Sequence, residues 1–245
     1  YFSRSHLQKR LPQLRQVAKI VVESELQQEE LLASGIPESK IKVIYPPVDL
    51  TIFHYQQVSE KIPFKILNAS CPAKTRDLEK RGIFLLLQSV PLARKAELTL
   101  VWREPEGEMH NFIREIKQDQ HYGSVFIRKE VIADMNAEYA QHHCTIIAYT
   151  KLDSLLKLIP NSAVESLAAG KPLLVSSQSG IAPLVQRERC GIIFEPAQDS
   201  LLKAIETLRK NYAFYQRNCR KTAEKYFSQD LFISKYNDIY EQLDK

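Results

Sequence analysis

Three short polar segments, each directly behind an apolar run, hold the residues whose types and spacing suit chemistry. The first, 71–82, sets Lys74, Arg76, Lys80 and Arg81 ahead of Gly82. Cations at a helix N-terminus are what a diphosphate needs where no glycine-rich loop offers backbone amides; an exposed charged loop is the alternative reading. The second runs from Pro160, Asn161 and Ser162 through Glu165 to Gly170, Lys171 and Pro172. Asn161 or Ser162 can cap a helix, Gly170 can end it, and Pro172 opens the next strand. Glu165 then falls one turn into that helix, where its carboxylate can accept from two adjacent hydroxyls such as a ribose diol. The third, Ser176 to Gly180, puts Ser179 and Gly180 in a small polar loop before another helix start, suited to phosphate or sugar oxygens.

Other chemistries find less support. His142 and His143 close a helix and read as caps of its last carbonyls. Asp153 and Glu165 have the types of an acid/base pair, but nothing in their spacing favours one; Trp102 and Arg103 at a strand end read as packing plus a surface charge, with Arg103 pointing toward the same cleft as the alternative. Cys71, Cys144, Cys190 and Cys219 are widely separated, with no C-x-x-C and no histidine at zinc spacing. They read as four free thiols in a reducing, cytoplasmic compartment, with no metal site. The 7 glycines of 245 residues, about 3% against an ordinary usage of roughly 7%, are all isolated. That excludes the G-x-G-x-x-G fingerprint and the phosphate loop, which cluster glycines in one turn.

The net charge is +5, yet five of the 34 basic residues precede the first acid, Glu23, and the remaining 29 match the 29 acidic ones. A nucleic-acid partner, which would require a basic stripe, is therefore not expected. The basic segment reads as a solvated helix face, with peripheral contact to an anionic membrane surface as the alternative, and Pro12 argues against one continuous helix. No apolar run approaches the roughly 20 residues of a membrane span. The start Tyr-Phe-Ser-Arg-Ser has no leader pattern, and the chain reads as cut from a longer one.

The elements that must position these residues follow from the apolar pattern. A strand at 18–22, a helix from Ser24 to Ser34 stopped by Gly35, and a strand at 41–44 lead into Tyr45-Pro46-Pro47-Val48-Asp49 and a polar linker to about Pro63. Strands then alternate with helices: strands near 64–68, 98–102, 125–127, 145–148, 172–175 and 191–194, and helices near 82–94, 108–118, 134–143, 161–169 and 181–187. Three helices close the chain at about 199–210, 211–226 and 229–243. Continuous apolar strands separated by helices predict an α/β fold, a Rossmann-like parallel sheet with helices on both faces. Ligands of such sheets bind beyond the carboxyl ends of the strands.

Together these segments resemble the retaining nucleotide-sugar glycosyltransferases of family four, which have the GT-B fold of two Rossmann-like domains around a cleft. Val21 to Pro37 and Lys40 to Asp49 look like the end of the family's N-terminal domain and its passage into the linker. Arg76, Arg81 and Gly82 keep the spacing of its phosphate-binding arginine, a basic residue five later, and the glycine opening a helix; Lys74 or Lys80 can serve instead. Pro160-Asn161 through Glu165 to Pro172 is similar to its signature helix, in which the second of two glutamates binds the nucleotide ribose, the position of Glu165. Lys157 stands where the first glutamate, which contacts the donor sugar, is usual, a charge reversal. Gly180 fits the glycine before the next helix, and Pro183 stands where an acid is usual.

The resemblance implies a remnant of the N-terminal domain and linker over 1–60, a nucleotide-sugar-binding domain over 61–226, and a helix over 227–245 returning toward the N-terminal domain. It implies a hexosyltransferase-type enzyme part that takes a nucleoside diphosphate sugar as donor and a glycan, lipid or small molecule as acceptor, without cofactor or metal. Arg76, Arg81 and Lys157 would act at the reacting phosphate and sugar. Lys74, Arg76, Arg81, Gly82, Asn161, Ser162, Glu165, Ser179 and Gly180 would hold the nucleotide. Most of the acceptor-side domain is expected to lie outside this chain. Lys157 and Pro183 motivate the alternative, a non-catalytic nucleotide- or glycan-binding or scaffolding module.

Overall fold

The computed structural model describes residues 4–58, 63–72, 74–102, 108–151 and 158–243. Helix α1 (Arg4–Gln16) runs unbroken through Pro12. Its face of Leu7, Leu11 and Leu14 packs on Val22, Leu31, Ile36 and Ile41, and that burial outweighs the amide lost at the proline. The expected break is therefore absent. Strands β1 (Ile20–Val22) and β2 (Ile41–Val43) pair in parallel, with Ile20 opposite Ile41. Between them lies α2 (Glu25–Ala33), whose cap Ser24 accepts from the Gln27 amide, as its position in the sequence suggested.

The segment after Tyr45 packs along the larger unit. The Val48 amide donates to the Phe227 carbonyl at 2.7 Å, and Val48 bridges Ser228. Phe53 is buried in the core. The Arg220 guanidinium donates to the carbonyls of Leu50, Phe53 and Ala168, so one side chain ties the linker to two helices.

Six parallel strands form the main sheet: β3 (Phe64–Asn68), β4 (Ala96–Val101), β5 (Val125–Arg128), β6 (Cys144–Ile147), β7 (Leu173–Ser176) and β8 (Gly191–Phe194). Their order is β5-β4-β3-β6-β7-β8. Successive residues feed opposite faces, as strand pleat requires. Leu67, Ile147, Leu173 and Val175 face a core shared with α6 (Met135–Ala140), α7 (Asn161–Ala168), α8 (Ala182–Glu188) and α10 (Tyr212–Tyr226). Ile66, Leu98, Ile146 and Leu174 face another, shared with α4 (Ile83–Ser89), α5 (Glu108–Gln118) and α9 (Gln198–Lys210). The protein thus has the expected Rossmann-like sheet with helices on both faces.

Two helices are shorter than their apolar pattern suggested. The helix expected to reach residue 94 ends at Ser89 and tightens into a 3₁₀ turn over Val90–Leu92, because Pro91 cannot donate to the ladder. The helix expected over 134–143 is Met135–Ala140: Asp134 caps its start, and the His142 ring meets the Glu138 carbonyl at its end. A one-turn helix, α3 (Asp77–Lys80), stands where the sequence suggested only a loop. The last helix, α11 (Gln229–Leu243), lies beside the 1–60 segment, with Lys235 over the Tyr45 ring.

Candidate functional site

The sheet order reverses between β3 and β6, since β4 and β5 extend to one side and β6 to β8 to the other. The connections on either side of that point leave in opposite directions and open a crevice at the carboxyl edge. Ser70 follows β3 here, and Tyr149 and Thr150 follow β6.

Arg81 comes to this point through α3. The Thr150 amide donates to the Lys80 carbonyl at 3.0 Å and its hydroxyl to the Glu79 carbonyl at 2.7 Å, zipping the turn after α3 to the exit of β6. Gly82 then opens α4 with φ +71°, and a Cβ there would sit 1.7 Å from the Ala148 carbonyl oxygen. Only glycine permits that approach. The half-buried Arg81 guanidinium donates to the Ser70 hydroxyl. The Tyr149 phenol bonds the same hydroxyl, and burial pushes its pKa up while the Arg81 charge opposes that. Among the described residues no carboxylate pairs with Arg81. Lys74 and Arg76 lie exposed on the turn entering α3.

The expected polar residues of α7 are placed differently. Pro160 occupies the cap position, with no side-chain cap bond, so Asn161 and Ser162 are the first helical residues and neither is the cap expected of them. The Pro160 carbonyl accepts from the Ala163 and Val164 amides, and its φ of −66° fits the entry to the helix. Asn161 is exposed and Ser162 buried. Glu165 is half-buried one turn in, and its Oε2 accepts from the Tyr139 phenol at 2.9 Å. Burial raises the Glu165 pKa and the phenol's hydrogen bond lowers it in part.

In the third segment, the Ser176 hydroxyl donates to the Tyr149 carbonyl and accepts from the Gln178 amide, which folds the loop back against the exit of β6. Ser177 donates to Glu195 at 2.8 Å. The Ser179 hydroxyl is buried without a partner among the described residues, and Gly180 is buried beside it. Lys157, Asp153 and Arg103 lie outside the described residues. His142 and His143 have pKa values pushed down to about 4 by burial and are neutral imidazoles inside the fold. The four cysteines are free thiols. Among the described residues no histidine, cysteine or carboxylate group clusters at metal-binding distance, and no helix is long and apolar enough to cross a membrane.

Sequence reasoning missed Ser70, Tyr149 and Tyr139. The first two lie just after strands, where the carboxyl-edge rule directs attention; Tyr139 lies inside a helix with nothing local to mark it.

A parallel sheet in this order is a doubly wound, Rossmann-like sheet, and its likeness to solved structures makes it the C-terminal half of a GT-B fold. The family model for glycosyl transferases group 1 matches residues 71–211, more than half the chain, and the chain belongs to that family. Among solved structures, sucrose-phosphate synthase from Thermosynechococcus elongatus is similar at 18% identity and TM-score 0.79, over 98% of this chain and 61% of that one. A glycosyltransferase from Rickettsia africae ESF-5 is similar at 18% identity and TM-score 0.80, over 97% and 67%. Anabaena Alr3699/HepE in complex with UDP is similar at 16% identity and TM-score 0.79, over 100% and 68%. This chain therefore spans roughly three fifths to two thirds of their lengths, and such identities speak to the fold alone. No curated protein matches in sequence.

Proposed function

We propose that this chain is the donor-binding part of a retaining, family-four sugar transferase, which moves a hexosyl group from a nucleoside diphosphate sugar to a glycan, lipid or small-molecule acceptor. The observation that carries this reading is Arg81 at the β3/β6 reversal, held by the Ser70 hydroxyl with no carboxylate partner among the described residues, and so offering its charge to an anion. As the bond between sugar and diphosphate breaks, negative charge grows on the departing phosphate oxygens. Fixed cations there lower the barrier, with Arg81 first and Arg76 and Lys74 on the adjoining turn. Glu165 would accept from the ribose hydroxyls, and the loop carrying Ser179 and Gly180 would approach the phosphates. The reading needs no metal, because side-chain cations take that part. The Anabaena neighbour, solved with UDP and with UDP-glucose, supports a nucleotide-sugar partner.

On this reading residues 1–60 belong to the N-terminal domain and linker, 61–226 bind the donor, and 227–245 return to the N-terminal domain. The chain works in the cytoplasm, where the basic face of α1, with Lys9 and Arg15 exposed, is available to an anionic membrane surface. Lys157, in place of the family's first glutamate, favours a second reading, a non-catalytic nucleotide- or glycan-binding module.

Calorimetric titration with UDP, GDP and ADP tests the site. Binding of at least one, lost in Arg81→Ala and weakened in Glu165→Ala, is expected; no binding at millimolar ligand would sink the transferase reading. Transfer or hydrolysis of a bound donor sugar by the protein separates the enzyme from the binding module.

A further inference from the structure

Tyr139 is wholly buried, an unusual place for a phenol without a task. Its hydroxyl lies 2.9 Å from Glu165 Oε2 and 3.1 Å from the Ser162 carbonyl, so its proton is shared between a carboxylate and the first turn of α7. Its ring meets the Phe53 ring edge-on, with centroids 6.0 Å apart. One turn earlier on α6, the buried Asn136 accepts from the His54 amide at 3.0 Å. Two successive linker residues therefore brace the helix that carries Tyr139, and the phenol cannot follow the carboxylate if it turns away. A glutamate side chain free to rotate forfeits rotamer entropy on binding a ligand; one whose oxygen is already held forfeits less.

We propose that Tyr139 is the positioning residue for Glu165, fixing Oε2 so that the carboxylate presents itself to the vicinal hydroxyls of a ribose, and that nucleotide binding is thereby selective for ribose. This rests on the reading of Glu165 as the ribose carboxylate. The consequence for pH has a definite sign. Burial already favours the protonated acid, and the phenol's hydrogen bond favours the ionised form. Without the phenol the Glu165 pKa rises further, and the acid limit of nucleotide binding moves to higher pH.

The test is calorimetric titration of the intact chain, wild type, Tyr139→Phe and Glu165→Ala, with UDP, GDP and ADP and their 2′,3′-dideoxy forms, between pH 5 and 8. Wild type is expected to prefer the ribonucleotide. Tyr139→Phe, which keeps the ring against Phe53, is expected to lose about 10-fold in ribonucleotide affinity and nothing in dideoxynucleotide affinity, with its acid limb displaced upward. Equal loss of both ligands in Tyr139→Phe would show a merely structural phenol and overturn the proposal. So would wild-type affinity and pH profile in Tyr139→Phe alongside lost discrimination in Glu165→Ala. Discrimination that survives in Glu165→Ala, or no binding by any of the three bases, overturns the ribose reading itself and the proposal with it.

Discussion

Arg81 and Lys171 stand at opposite edges of one sheet, Arg81 beyond the carboxyl end of β3 and Lys171 ahead of β7. Among the described residues neither has a carboxylate partner, yet the chain treats the two cations differently. Lys171 is almost fully buried, its Nζ donating to the Gln56 carbonyl at 2.7 Å and lying 5.2 Å from the centre of the Tyr55 ring. Desolvation pushes its pKa down to about 8. Among the described residues its ammonium meets the Gln56 carbonyl and the Tyr55 ring, so its charge is spent inside the molecule. Arg81 is half-buried, leans on a hydroxyl and, on the proposed reading, keeps its charge for a bound phosphate. A cation lacking an acid is thus not by itself a binding residue; what separates the two is the edge of the sheet and whether the partners close over the charge.

The harshest way to break the contrast is Gly82→Ala. With a Cβ 1.7 Å from the Ala148 carbonyl and φ at +71°, the turn carrying Arg81 cannot stay against β6. Thermal or urea unfolding should show a loss of more than about 3 kcal/mol, or no folded protein. Arg81→Met comes next. Nucleoside diphosphate affinity should fall by roughly 10- to 100-fold, the worth of a charged hydrogen bond, with little change in unfolding midpoint. Arg81→Lys should recover most of it, because a point charge still serves a phosphate.

Lys171→Met should do the reverse, leaving affinity intact and altering stability. Its folded pKa of about 8 lies below lysine's ordinary 10.5, so between those values the unfolded state binds more protons. The lysine therefore costs most stability below pH 8, and that cost fades as pH rises. Urea unfolding should show wild type gaining on Lys171→Met between pH 8 and pH 10; a constant difference would mean that Lys171 keeps an ordinary pKa. The smallest effect is expected of Ser177→Ala. Its hydroxyl donates to Glu195, and loss of that exposed bond should move stability by less than about 0.5 kcal/mol and leave nucleotide titrations unchanged.

The sheet was legible in the sequence because its strands are buried on both faces and read as apolar runs, as in Leu98 to Val101 and Leu173 to Val175. Gly82 and Gly170 were legible as turn residues, and both have positive φ. Helix ends were less so: Asn161 and Ser162 have the chemistry of caps, but the proline before them takes the position. The braces of the site were hidden for a plainer reason. Tyr139 and Glu165 are 26 residues apart, Arg81 and Ser70 are 11 apart across a helix, and Lys171 reaches a carbonyl 115 residues back. Patterns of local spacing report which face an element buries; contacts of that span appear only once the elements are packed.

The grip of Arg220 on Leu50, Phe53 and Ala168 bears on how the C-terminal halves of such chains are exchanged. The stretch from Val48 to Val58 is upholstery for the sheet that follows it, and it carries the Leu50, Phe53 and Gln56 carbonyls that accept from Arg220 and Lys171. A chimaera joined at the start of β3 would pair these cations with a stranger's backbone. The seam that respects them falls upstream, at Pro46-Pro47.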